Sequence, residues 1–290
     1  MTVKSTRRNQ GASVRQRLLN LSRAGGSPFE FLLTRYVLER LLYRLTLTPH
    51  ASRFVLKGAM LVTTWFPDPH RQTRDLDLLG FGDSDPDAIL AIFREICAIQ
   101  IDDGVEINVA GLRASFIREA QEYGGLRLRT IATVAGARVN IVIDVGFGDA
   151  TEPGIEDVLL PVLLDQPAPR MRAYARETVI AEKFQAVVAL GLANSRYKDF
   201  YDLWNMSRAF PFEGDRLARA IRATFDRRRT EIPAATPDAL TPAFADDPMN
   251  RQHWAAYIQN LGSPDLDLSR MISDLAAFLM PHARWARDLP

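Results

Sequence analysis

Two short stretches, Phe54-Val-Leu-Lys-Gly-Ala-Met-Leu61 and Thr73-Arg-Asp-Leu-Asp-Leu78, decide the fold of this chain. Together they predict a strand, a glycine turn, a short helix and a second strand. Side chains alternate along a strand, so Asp75 and Asp77 are expected on one face while the leucines face a core. Two carboxylates this close repel one another unless a cation lies between them. A hard cation such as Mg2+ fits there and leaves room for substrate phosphates; a solvated strand face is the alternative.

The composition is that of a soluble globular protein. The chain has 290 residues, of which 47% are hydrophobic and 24% are charged, enough to bury a sizeable core. We find no apolar run of about 20 residues that would span a bilayer, and no signal-peptide pattern. The single cysteine, Cys97, lies on a predicted amphipathic helix and is expected to be buried rather than nucleophilic. These features predict a cytoplasmic protein with no membrane partner.

The net charge of +1 conceals an uneven distribution along the chain. Residues 1–23 contain six basic side chains and no acidic one, whereas residues 139–169 contain six acidic side chains and no lysine or arginine. The basic arm is expected to contact a polyanion, with a solvated tail or a transit peptide as alternatives. Arg127 and Arg129 alternate along one predicted strand face and could follow a nucleic-acid backbone together with the arm.

The order of predicted elements gives three regions. Residues 1–48 are expected to form a helical lead-in with the basic arm. Residues 49–170 alternate short helices with strands, among them Phe54–Lys57 and Leu126–Val134, and predict a mixed sheet that is at least partly antiparallel. Residues 171–290 have a helical pattern. The chain is therefore expected to be an α+β protein with a helical C-terminal domain.

A third acid lies in another predicted strand, Val139-Asn-Ile-Val-Ile-Asp-Val145. Apolar residues fall on both faces, which predicts a central strand covered on both sides. A lone carboxylate buried there is costly, so Asp144 is expected to be paired or to bind metal. If this strand lies beside the strand of Asp75 and Asp77, Asp144 becomes a third metal ligand. A salt-bridged core aspartate, or one at an exposed strand end, is the alternative.

Four residues near the first two acids are candidate substrate ligands. Gly58 permits a turn in which backbone N–H groups at a helix start approach a phosphate closely. Lys57 precedes this glycine. Thr73 and Arg74 directly precede Asp75, and both carry donors for phosphate oxygens.

Lys183 lies within the apolar stripe of a predicted helix, where a lysine must reach the surface or meet an anion. A triphosphate is one such anion, and a pair with Glu177, Glu182 or Asp199 is the alternative. Asp199 and Asp202 are three residues apart on the next predicted helix and share a face. Either of them is a candidate to orient Lys183 at a phosphate.

Taken in this order, these segments resemble the AbiEii/AbiGii family of nucleotidyltransferase-like toxins. That family includes the toxins of type IV abortive-infection toxin–antitoxin systems and the mycobacterial MenT-type toxins. The matching segments are Leu56-Lys-Gly-Ala-Met-Leu61, Thr73-Arg-Asp-Leu-Asp-Leu78, Ile143-Asp-Val145, Ala181-Glu-Lys183 and Lys198-Asp-Phe-Tyr-Asp-Leu203. They span about residues 53–205, and the ordered set is more specific than any of its parts.

The resemblance implies a DNA polymerase β-like nucleotidyltransferase core. It also implies Mg2+-dependent transfer of a nucleotide from an NTP to an RNA acceptor, which is the tRNA 3′ end in characterised relatives, and a cognate antitoxin. The residues implied by position are Asp75 and Asp77 for the metal, Lys183 for the triphosphate, and Asp202 or Asp199 as the last catalytic acid.

The sequence departs from the family pattern at two places. Lys57-Gly58-Ala59 stands where a Gly-Gly or Gly-Ser turn is usual, and Thr73 stands where a serine is frequent; threonine keeps the hydroxyl. The leading expectation is a toxin that transfers NMP to RNA and blocks translation. The alternatives are the same chemistry on a protein or small-molecule acceptor, and a non-catalytic module that binds a nucleotide or a partner.

Overall fold

The computed structural model of the chain describes residues 2–66, 73–117, 124–261 and 266–289, with side chains from residue 10 onward. Within these ranges, no helix is both long enough and apolar enough to cross a membrane. The chain divides into two compact units.

The first unit comprises residues 1–148 and 156–173 and contains the sheet. Its helices are α1 (Thr2–Gly25), α2 (Phe29–Thr46), α3 (Gly58–Val62) and α4 (Pro86–Ala98). The strands of the sheet are β1 (Phe54–Lys57), β2 (Leu76–Gly80), β3 (Glu106–Ile107), β4 (Arg113–Phe116), β5 (Leu126–Val134), β6 (Ala137–Phe147), β7 (Ile155–Leu159) and β8 (Arg170–Tyr174). The strand order is β3-β5-β6-β2-β1-β8-β7, and β4 also pairs with β5.

The sheet is mixed, as the sequence predicts. The pairs β1–β2 and β5–β6 are antiparallel, whereas β2–β6 and β1–β8 are parallel. This arrangement, with helices in both units, confirms the α+β class. Strands β7 and β8 are not predicted by the sequence, because the segment between them contains Pro161, Pro167 and Pro169 and has the pattern of a connector.

Much of the core lies on the face of the central strands that carries Leu76 and Leu78, although Val55 of β1 and Leu79 of β2, on the other face, are also buried. Leu76 and Leu78 are buried, as expected for the side chains that alternate with the aspartates. On β6 the residues Ile141 and Ile143 are fully buried, but Asn140 on the other face is exposed. The prediction of a strand covered on both sides is therefore wrong. Strand β6 is central in the sheet but open on one face, where its charged and polar side chains meet solvent.

The basic arm is helical rather than a solvated tail. Helix α1 runs from Thr2, and its side chains Val14 and Leu18 are buried. Arg17 forms an ion pair with Asp165 in the same unit. The part of α1 from residue 10 onward thus belongs to the packed structure.

The second unit comprises residues 149–155 and 174–290 and is helical after its first segment. Its helices are α5 (Arg176–Leu190), α6 (Tyr197–Ala209), α7 (Gly214–Arg227), α8 (Pro242–Asp246), α9 (Pro248–Asn260) and α10 (Leu268–Asp288). Aromatic pairs hold its core together: the ring centres of Phe184 and Phe225, and those of Phe200 and Phe244, are each 5.3 Å apart.

Candidate metal centre and triphosphate site

Thr73 fixes the first carboxylate of the candidate centre. Its Oγ1 is 3.0 Å from Asp75 Oδ1 and 3.1 Å from the Asp75 carbonyl oxygen, and the side chain is nearly buried. The exposed Arg74 places its guanidinium 4.9 Å from the ring centre of Phe31. The Thr73 hydroxyl, which the sequence suggests as a phosphate donor, thus contacts a candidate metal ligand.

Gly58 leaves the space that the second carboxylate occupies. It begins α3 with a φ of +67°, a conformation in which glycine meets no steric penalty. A Cβ at this position would lie 1.9 Å from Asp77 Oδ2. The glycine is therefore needed for two reasons, the turn itself and the close approach of Asp77.

The register of the sheet adds a third carboxylate. Strand β2 pairs with β6 in parallel, and Asp77 is opposite Asp144. On the other side of Asp77 lies Lys57 of β1, and on the other side of Asp144 lies Arg127 of β5. Paired residues on neighbouring strands share a face. Two carboxylates thus lie in one row between two cationic residues.

The three aspartates form a group suited to a cation. Asp75, Asp77 and Asp144 each offer a carboxylate oxygen, and these oxygens lie within 4.8 Å of one another. All three residues are partly exposed. Such a group is stable only if positive charge offsets its repulsion, and hard divalent cations take oxygen ligands while keeping positions for water or phosphate. The donor set therefore fits a divalent metal ion.

Arg127 already supplies part of that positive charge. Its Nε is 2.6 Å from Asp144 Oδ1, and its Nη2 is 2.5 Å from Asp144 Oδ2. This two-pronged geometry is the strong form of an arginine–carboxylate pair. Asp144 therefore takes part both in an ion pair with Arg127 and in the group of three aspartates.

The sequence contains a signal for this pair that the charge pattern alone does not reveal. Strands β5 and β6 form a hairpin across Ala135 and Gly136, whose φ values are 47° and 82°. Positive φ at both turn positions is typical of a two-residue type I′ hairpin. Placing the turn at these two residues fixes the register, and that register sets Arg127 opposite Asp144.

In the second unit, Lys183 lies between two acids. Its Nζ is 2.7 Å from Asp199 Oδ1 and 2.8 Å from Asp202 Oδ2. The side chains of Lys183 and Asp199 are each 11% exposed, and that of Asp202 is fully buried. The lysine on α5 and the two acids on α6 therefore form one partly buried ionic group.

The other acids considered as partners for Lys183 are engaged elsewhere. Glu177 accepts a hydrogen bond from Arg216 at 2.9 Å. Glu182 pairs with Arg228 at 2.9 Å and lies 3.4 Å from the hydroxyl of Tyr174. Burial, together with the nearby carboxylates, raises the pKa of Tyr174 well above its usual value. Tyr174 is therefore a neutral donor at physiological pH.

Comparison with known proteins identifies the family. The profile of the family described as "Nucleotidyl transferase AbiEii toxin, Type IV TA system" matches residues 40–287. The chain belongs to this family. AbiEii membership makes it a nucleotidyltransferase of a toxin–antitoxin system, with an NTP substrate and an antitoxin partner. The mixed sheet with helices is consistent with a DNA polymerase β-like core.

Two solved structures from Helicobacter pylori are similar to this AbiEii chain. One, described as a nucleotidyltransferase, has 16% sequence identity and a TM-score of 0.46, covering 89% of this chain and 95% of its own. The other, JHP933, has 15% identity and a TM-score of 0.42, covering 87% of this chain and 89% of its own. A search of curated proteins found no match.

Proposed function

We propose that this chain is an Mg2+-dependent nucleotidyltransferase toxin that transfers NMP from an NTP to an RNA acceptor, the 3′ end of tRNA, and thereby blocks translation. The observation that carries the proposal is the group of three aspartates, Asp75, Asp77 and Asp144, in a chain of the AbiEii family. The resemblance to toxins that act on tRNA supports the choice of acceptor.

In the proposed site, Asp75 and Asp77 hold the metal and Asp144 assists. Bound magnesium would offset the charge of the triphosphate and polarise the α-phosphate. Thr73 keeps the Asp75 carboxylate oriented through the 3.0 Å contact, and Gly58 leaves room for Asp77. The chain's own contribution is chiefly to hold these charges in place before substrate arrives.

The reaction is a displacement at phosphorus. The 3′ hydroxyl oxygen of the acceptor forms a bond to the α-phosphorus, the bond from that phosphorus to the bridging oxygen of the β-phosphate breaks, and pyrophosphate leaves. The proton of the hydroxyl passes to a carboxylate of the aspartate group. Lys57, opposite Asp77 in the sheet, and the exposed Arg74 are proposed to contact phosphate oxygens alongside the turn at Gly58.

Lys183 is proposed to bind the triphosphate, with Asp199 and Asp202 orienting its ammonium group. A lysine suits this task because it is a compact charge on a flexible stem. Since the Asp202 side chain is fully buried, we assign it a positioning role that acts through Lys183. Asp199, which is slightly exposed, is the better placed of the two to meet substrate.

The proposal is tested by incubating the protein with Mg2+, total tRNA and each α-labelled NTP in turn. Asp75→Asn and Asp77→Asn should abolish labelling of RNA, because each removes a metal-binding charge without changing the shape of the side chain. Asp87→Asn is the matched control, since Asp87 is an exposed acid of the same unit. Label in RNA that disappears only in the first two variants supports the proposal and names the nucleotide.

The other outcomes separate the alternatives. Label in protein or in a small molecule from a lysate, with none in RNA, would assign a different acceptor to the same chemistry. No label with any NTP and any acceptor would contradict transfer, and would favour a nucleotide- or partner-binding module.

A further inference from the structure

Two arginines oppose each other on the open face of the sheet. In the antiparallel pair of β4 and β5, Arg113 is directly opposite Arg129, and both residues are exposed. Like charges at directly opposite positions destabilise a strand pair. In the described part of the chain their hydrogen bonds go to neutral oxygens: Arg129 to Ser115 Oγ at 3.4 Å, and Arg113 to the carbonyls of Ala110 and Leu112 at 2.7 and 2.9 Å.

The pair lies near the aspartate group on the same face. Arg129 is two residues from Arg127 along β5, a separation of about 7 Å, and Arg127 is bonded to Asp144. Strand β5 neighbours β6, which in turn neighbours β2. With adjacent strands about 4.8 Å apart, Arg129 lies roughly 10 Å across the sheet from the strand of Asp77.

The charges on this face are unevenly distributed. The three aspartates lie on or beside β2 and β6, flanked by Lys57 of β1 and Arg127 of β5, whereas Arg113 and Arg129 lie farther out on β4 and β5. Without a bound cation the aspartates repel a polyanion, and the two exposed arginines attract it. Two guanidinium groups can each donate two hydrogen bonds to one phosphate, and the shared anion removes their mutual repulsion.

We propose that Arg113 and Arg129 together bind a backbone phosphate of the acceptor RNA, close to the end at which transfer occurs. This inference rests on the proposed function and adds to it the residues that bind the acceptor RNA. It places the incoming strand over β4 and β5, so that its terminal hydroxyl reaches the aspartates from the arginine side. The pair reads no base, because phosphate contacts position a strand without specifying its sequence.

The test measures binding without turnover. A labelled single-stranded RNA oligonucleotide is titrated with protein in EDTA over a series of KCl concentrations, using the double variant Arg113→Gln/Arg129→Gln. We expect about a tenfold loss of affinity, and a slope of log K against log salt that is shallower by about 0.7, the value for one lost phosphate contact on a single strand. Arg94→Gln on α4, also an exposed arginine of this unit, should change neither quantity.

A second variant guards against loss of folding. Arg113→Glu replaces the like-charge pair by an attractive one opposite Arg129, so the thermal midpoint should be equal to or above that of the wild type while RNA affinity still falls. Wild-type affinity and salt slope in these folded variants would overturn the proposal. So would a loss of MgNTP affinity with RNA binding intact, which would assign the pair to the triphosphate.

The same experiment separates this inference from the proposed function. Asp75→Asn should keep RNA binding in EDTA although it abolishes transfer. If the wild-type protein transfers no nucleotide to RNA, the proposed function fails on that assay alone, whereas the arginine pair is judged by affinity and salt slope.

Discussion

The Asp77 carboxylate occupies the space that any side chain at residue 58 would require. A Cβ built on Gly58 would lie 1.9 Å from Asp77 Oδ2, 2.6 Å from its Cγ and 2.7 Å from its Cβ. The contact involves the whole carboxyl end of Asp77 rather than the tip of a long side chain, so it cannot be relieved by a small rotation. The glycine turn and the second metal ligand are therefore one structural unit.

Gly58→Ala should lose transfer activity almost completely. The substitution adds the strain of a left-handed backbone, about 1–2 kcal/mol for a non-glycine residue, and it also displaces the Asp77 carboxylate. Gly136→Ala is the matched control, because its φ is +82° and an added Cβ meets nothing within 4 Å. Both variants should lower the free energy of unfolding, but only the first should abolish labelling of acceptor. Full activity in Gly58→Ala would show that transfer does not depend on the position that the Asp77 carboxylate has in this structure.

Thr73 should control metal affinity through its hydroxyl. Thr73→Val keeps the shape but removes the 3.0 Å contact to Asp75 Oδ1, and loss of such an outer contact typically costs ten- to a hundredfold in metal affinity. Thr73→Ser retains the hydroxyl and should bind almost like the wild type. Isothermal titration calorimetry with Mn2+ in the absence of nucleotide compares the metal affinities of the two variants. Equal affinities would mean that the hydroxyl has no role in orienting Asp75.

Arg127→Gln should raise the affinity for a divalent cation, because the charge of the Asp144 carboxylate is then no longer offset by a guanidinium group. The pair is partly exposed, with Arg127 at 35% and Asp144 at 16%, so its removal should lower stability by only about 1 kcal/mol. Mn2+ titration and urea unfolding measure the two effects. A weaker metal site in this variant would indicate that Arg127 positions Asp144 as a ligand rather than competing for it.

Lys183→Met should lower the free energy of unfolding by about 3–5 kcal/mol, since it removes the ammonium group that lies 2.7 and 2.8 Å from the carboxylates of Asp199 and Asp202. The triple variant Lys183→Met/Asp199→Asn/Asp202→Asn removes all three charges and should recover most of that loss. Urea unfolding and NTP binding are measured on both. If Lys183 binds the triphosphate, NTP affinity stays low in the stable triple variant. Recovery of NTP affinity there would leave the lysine a purely structural role.

Cys97 should be chemically inert in the native protein. Burial raises the pKa of its thiol from 9.0 to about 12, and the thiolate is the reactive form. At pH 8 about one thiol in ten thousand is ionised, so iodoacetamide should label the chain only after unfolding.

The same pKa shift predicts a pH dependence of stability. The thiol ionises near pH 9 in the unfolded chain but near pH 12 in the folded one, so the unfolded state binds fewer protons in between. The stability of the wild type, relative to that of Cys97→Ala, should therefore fall as pH rises from 9 towards 12. A constant difference, or labelling of the native thiol, would contradict the buried placement.

The strands next to the candidate centre are those that the sequence predicts best. The bounds of β1 and β5 agree with the predicted ones, because alternation and glycine turns mark them clearly. The same alternation places Asp77 on the face opposite the buried Leu76 and Leu78, whereas Asp75 directly precedes β2 and lies outside the strand.

Features that depend on tertiary pairing are not predicted. Local patterns do not show that β6 is open on one face, since Val142 on that face is as apolar as the buried Ile141 and Ile143. The pairing of Arg113 with Arg129 depends on the register of β4 and β5, whereas that of Arg127 with Asp144 follows once the hairpin turn is placed at Ala135 and Gly136. For Lys183 the sequence offers Asp199 and Asp202 among several candidate partners, but the simultaneous contact with both acids depends on how two helices pack, which side-chain spacing within one helix does not determine.

The parallel pairing of β2 with β6 has a consequence for biosynthesis. The third carboxylate joins the other two only after the chain between residues 77 and 144 has been made and has folded back. Such non-local pairings form late, because the entropy cost of closing the loop comes before the contact can stabilise it. A nascent chain that has emerged only as far as β5 carries Asp75 and Asp77 without their partner. A ribosome making this protein is therefore not exposed to an assembled centre until the β5–β6 hairpin has left the exit tunnel and docked on β2.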